Sequence, residues 1–138
     1  METLNSPSVP ISWGELLDKI SILEIKAERM SCPHQRANVE KEHRLLLDRA
    51  APVMTGEGIS PLFQRLKRIN ATLWDIEDAI RQEEEAVHFG PAFVALARSV
   101  YLTNDERASV KRAINELLAS DLVEEKSYRA GGLGEPAH

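Results

Sequence analysis

Leu16, Ile20, Leu23, Ala27 and Met30 recur at spacings of four and three, the period of one helical face, and predict a first helix. Ser12 followed by Glu15 opens it as a capping box, in which the serine oxygen accepts from an orphan amide and the glutamate reaches back. Pro33 punctuates the chain within Ser31–Cys32–Pro33–His34. A second helix is expected from about Arg36 to Ala51, with Val39, Leu46 and Ala50 turned inward. Pro52 and Thr55–Gly56–Glu57–Gly58 then read as a loop. Ser60 and Pro61 signal a third helix, since proline at a first helical position sacrifices no bond. Its stripe of Leu62, Leu66, Ile69, Leu73, Ile76, Ile80 and Val87 is heptad-like and covers about 25 residues, or ~38 Å. Gly90–Pro91 ends it. Phe93, Leu96, Ala97 and Val100 predict a short fourth helix. Thr103 with Glu106 reads as a second capping box, opening a fifth helix lined by Val110, Ile114 and Leu117.

No stretch alternates with the period of a strand, and no segment repeats. The fold expected is all-α, an extended antiparallel bundle of about five helices with one long central helix. Residues 1–11 read as an extended leader, 12–128 as a single helical domain, and 129–138, with Gly131, Gly132, Gly134 and Pro136, as a flexible tail. Ile22 and Ile25 give the first helix a second apolar side. A helix with two apolar faces contacts two partners, which predicts a homo-oligomer, with a dimer the preferred form.

Composition narrows the setting. The 138 residues suit one domain, and 43% hydrophobic with 28% charged residues is a globular balance. A net charge of −5 argues against a nucleic-acid partner, whose binder normally shows a dominant basic face. Cys32 is the only cysteine, so no internal disulfide can form, and a reducing cytoplasm is the expected location. Met1 to Pro10 lacks the basic start and apolar run of a signal peptide. No stretch approaches the ~18 continuous apolar residues of a membrane span.

Candidate chemistry gathers in three places. On a wheel of 100° per residue Glu24 falls about 20° from Trp13, inside the apolar arc of the first helix. A carboxylate there is either a ligand-fixing or raised-pKa acid, or one half of a structural pair with a neighbouring helix. Asn70, Trp74, Glu77 and Arg81 form a polar line beside the apolar stripe of the third helix. Arg81 could fork an anion against Trp74, or simply pair with Glu77. Arg98, Tyr101, Asn104, Arg107 and Lys111 cluster at the junction of the last two helices, a candidate phosphate or carboxylate site that Asp105, Glu106 and Glu116 could neutralise. Glu40-x-x-His43 and Glu85-x-x-His88 match di-iron spacing, but a helical hairpin would hold the two histidines ~25 Å apart along the axis, so no metal is expected. No phosphate-binding glycine loop or nucleophile elbow is present, and no cofactor is expected.

The run Ile11–Ser12–Trp13–Gly14–Glu15–Leu16–Leu17–Asp18–Lys19–Ile20, continued by Ser21–Ile22–Leu23–Glu24–Ile25–Lys26, resembles the opening of an uncharacterised bacterial family, domain of unknown function 6165. Asn70-x-x-Leu73-Trp74-x-Ile76-Glu77-Asp78-x-Ile80-Arg81, Leu96–Tyr101 with Asn104–Asp105, and Lys111–Asn115 with Glu124–Tyr128 are similar to the same family. The resemblance spans about residues 11–128 and implies no activity, substrate or catalytic role. The first helix also looks a little like that of all-helical chorismate mutases. That likeness fails where those enzymes place an arginine and this chain has Lys19 or nothing comparable. The function expected is therefore a non-enzymatic, oligomeric interaction or regulatory module. The alternative is a binding protein or enzyme for an anionic, phosphate- or carboxylate-bearing ligand. It would use Arg81, Arg98, Arg107 and Lys111 as clamps, Trp74 and Tyr101 as walls, and Glu24 or Glu77 as acid–base groups. Sequence leaves open whether the chain is an enzyme.

Overall fold

In the computed structural model residues 5–120, 122 and 125 are described, and their secondary structure is helical throughout, with no strand among them. Trp13–Arg29 forms α1, Pro33–Met54 forms α2, Ile59–Glu85 forms α3 and Pro91–Leu117 forms α4. Ser12 caps α1 as its spacing predicts, its Oγ accepting from the Glu15 amide at 3.1 Å. The second half of that box is not used, because the Glu15 carboxylate accepts from Lys111 Nζ at 2.8 Å instead.

The expected five helices are four among the described residues. Thr103 sits inside α4 rather than at a cap, and no glycine or proline between Ala92 and Leu117 stops the helix. Pro33, read as a break, is instead the first residue of α2, where its missing N–H costs nothing. The helix runs on through Pro52 in its last turn to Met54. α3 begins at Ile59, before Ser60, after a left-handed Gly58 with φ 83°. It ends at Glu85, which leaves Val87 outside the stripe it was assigned to. The expected tail, 129–138, lies outside the described residues.

α1 is the central element and packs against all three others, whereas α2 leans almost wholly on α1 and α3 pairs chiefly with α4. The core joins Leu16, Leu17 and Ile20 of α1, Ala50 of α2, Ile59, Phe63, Leu66, Ile69 and Leu73 of α3, and Val110 and Ile114 of α4. α1 runs antiparallel to α4, Gly14 lying at Asn115 and Asp18 at Arg107. Gly14 permits the close crossing, since a Cβ there would stand 2.6 Å from the Lys111 carbonyl oxygen. Its amide donates to Asn115 Oδ1 at 2.7 Å.

The second apolar side of α1 is covered within the chain. Ile25 is 2% exposed, and it lines a cleft with Ile22 and residues of α3 and α4. That side therefore does not call for a second copy. A different surface is left thinly covered. Past Leu73 α3 buries no residue fully, and before Val110 neither does α4. Ile76, Ile80, Phe93, Leu96 and Val100 are half-buried along this far part of the hairpin, an arm of ~15 Å beyond the reach of α1. Phe89 and Phe93 meet edge-to-face at its tip, with centroids 5.3 Å apart. No described helix is long and apolar enough to cross a membrane.

Candidate functional site

Three helices converge on one buried carboxylate. Asp18 of α1 is 1% exposed, and both of its oxygens are occupied. Arg107 of α4 grips it in a fork, Nε donating to Oδ1 at 3.0 Å and Nη2 to Oδ2 at 2.6 Å. Asn70 of α3 donates through Nδ2 to Asp18 Oδ1 and to Ser21 Oγ, each at 2.8 Å. Ser21 Oγ in turn donates to the Asp18 carbonyl at 2.8 Å. A bidentate guanidinium is the geometry that best repays the desolvation of a buried carboxylate. Among the described residues no buried side-chain nitrogen or oxygen lacks a partner.

Beside this junction opens a cleft of about 210 Å³. Ile22, Ile25 and Leu73 form its apolar floor, Trp74 a flat wall, and Asn70, Glu77, Asn104 and Arg107 its polar side. The Arg29 guanidinium lies 5.8 Å from the Trp74 ring centroid while its Nη1 donates to Asp75 at 2.6 Å, closing the C-terminal end of α1 onto α3. A wider depression, along the α3–α4 seam, places Arg65 and Arg68 beside Glu106, so its wall carries both signs.

Of the residues singled out by sequence, Asn70, Trp74, Glu77, Asn104 and Arg107 meet in the cleft. Lys111 joins Glu15 at 2.8 Å at the next turn of the α1–α4 seam. Glu24 does not line the cleft. It is half-buried between α2 and α3, with His43 Nε2 and Lys67 Nζ each at 3.2 Å, the structural pairing that sequence held open. Lys67 also donates to Glu28 at 2.6 Å. The Glu28 hydrogen bond, opposed by partial burial and assisted by Glu24, raises the Lys67 ammonium above its ordinary pKa. Arg81, Arg98 and Tyr101 are exposed on the arm and do not reach the cleft.

Sequence reasoning assigned no role to Asp18 or Ser21, although both share an arc with Ile22 and Ile25 at helical spacing. The two Glu-x-x-His pairs do not converge: Glu40 faces Arg36, and His88 lies 3.6 Å from Glu83 at the arm's tip. No group of three or more potential metal ligands occurs among the described residues.

Fold and site together define a small all-α protein in which a central helix is clamped to a long hairpin by a buried aspartate–arginine fork. The chain belongs to the family of unknown function DUF6165, whose pattern matches residues 8–136. No curated protein and no solved structure matches it.

Proposed function

We propose that the chain is a non-enzymatic interaction module of the cytoplasm that self-associates through the α3–α4 arm. The observation that carries this reading is the contrast in charge and cover along the hairpin. Near α1 the cations are engaged across helices: Arg107 with Asp18, Lys111 with Glu15, Lys67 with Glu24 and Glu28. On the arm Val94, Tyr101 and Leu102 are exposed on α4, and Val87 and Phe89 at the tip. Arg81 and Arg98 make no ion pair with a described residue there, and neither do Asp78, Glu84 and Glu85.

A twofold contact sets a patch against its own copy, and a surface that carries apolar residues together with unpaired charges of both signs offers each sign an opposite across it. Two such hairpins laid together complete a four-helix bundle and bury the half-covered stripe of each. The exposed thiol of Cys32 suits a reducing compartment. An anionic ligand at the α1 end finds less support, because the fork to Asp18 already cancels the Arg107 charge.

Sedimentation tests the proposal. Wild-type protein should sediment as two copies of the 15.4 kDa chain, and Val94→Glu with Tyr101→Glu as one copy with unchanged helical dichroism. A wild type that stays a single copy up to about 100 µM overturns it.

A further inference from the structure

We infer that the cleft between α1, α3 and α4 is a binding site for a small organic ammonium ion with a short apolar body. Asn70 carries this inference. Its side chain belongs to a residue only 6% exposed, and Nδ2 is committed to Asp18 and Ser21. Among the described residues no donor reaches its Oδ1, and because no buried side-chain oxygen among them goes unpartnered, that oxygen is accessible on a residue that lines the cleft. A fixed, accessible acceptor on the wall of a cleft asks for a donor.

The charge balance sets the sign of that donor. The fork cancels Arg107 against Asp18, and of the two charged lining residues Glu77 has no ion-pair partner among the described residues. A ligand entering here meets a net negative wall. Trp74 tolerates positive charge at its ring, since Arg29 already sits 5.8 Å from its centroid. An ammonium group would donate to Asn70 Oδ1 and to the Glu77 carboxylate while its carbon chain lay on Ile22, Ile25 and Leu73. The cleft's 210 Å³ is below the ~300–1,000 Å³ of ordinary ligand pockets, which limits the ligand to a few carbons. This reverses the sign of the anionic ligand that the sequence offered as the alternative reading, and it is independent of association through the arm.

The test is a titration of the full chain with n-butylamine, butyrate and 1-butanol, followed by NMR at the Trp74 indole N–H and the Asn70 side-chain amide. Butylamine should give saturable shifts at both groups, with little response to butyrate or butanol. Glu77→Gln alters an exposed residue without an ion pair, so it should fold normally and weaken amine binding about tenfold, the loss of one charge-assisted contact. Equal responses to amine and alcohol, saturable binding of butyrate, no response to amine, or an unchanged affinity in Glu77→Gln would each overturn the inference.

Discussion

The two halves of the α3–α4 hairpin have similar helical sequence and different company. In the half next to α1, each crossing of α1 with another helix combines buried aliphatics with a committed polar contact. Leu66 and Ile114 are fully buried there, and Asp18, Glu15 and Glu24 each hold a cation of another helix. In the arm half the same kind of stripe is only half-covered, because two helices cannot enclose a seam that three can. Charged residues on the arm consequently stay in solvent, where pairing is worth little. Burial by a third helix, more than residue type, turns a carboxylate into a structural clamp.

The sharpest way to break this contrast is to remove the clamp. Asp18→Ala leaves Arg107 facing a buried gap and should lower stability by about 3–5 kcal/mol in urea denaturation. A loss below about 1 kcal/mol would place Asp18 with the surface pairs of the arm. Gly14→Ala comes next. Its Cβ would collide with the Lys111 carbonyl, so α1 must lift off α4, at a cost of ~1–3 kcal/mol. A neutral result would mean that the crossing is looser than its geometry.

The smallest effect concerns Lys67. Its folded-state pKa is raised from 10.5, chiefly by the Glu28 hydrogen bond, so its contribution is present below about pH 10.5 and is lost as pH rises through the folded value. Lys67→Met should therefore lower the melting temperature near neutral pH, and the gap to wild type should close above that range. A gap that persists in strong alkali would assign the effect to packing of the lysine stem.

Helix existence and the apolar stripes were legible in the sequence because period alone encodes them. Boundaries were less so. Thr103–Glu106 has the spelling of a capping box, yet a cap forms only where the chain leaves the helix, and nothing between Val100 and Thr103 makes it leave. The site was harder still. Glu24 attracted notice because it shares an arc with Trp13, whereas the fully buried carboxylate is Asp18, on the arc of Ile22 and Ile25. That arc reads as a second apolar face. Only the crossing of α3 and α4 brings Asn70 and Arg107 to it, and crossing geometry has no local signature. Trp74, Glu77 and Arg107 could be chosen from helical spacing, but their meeting could not.

Amide hydrogen exchange measured at rising protein concentration addresses the contrast directly. If the arm is where a second copy docks and the α1 end is already closed, protection should grow with concentration over residues 91–102 and stay constant over Trp13–Arg29. Protection that grows along α1 while the arm is unaffected, or that is independent of concentration everywhere, would contradict it.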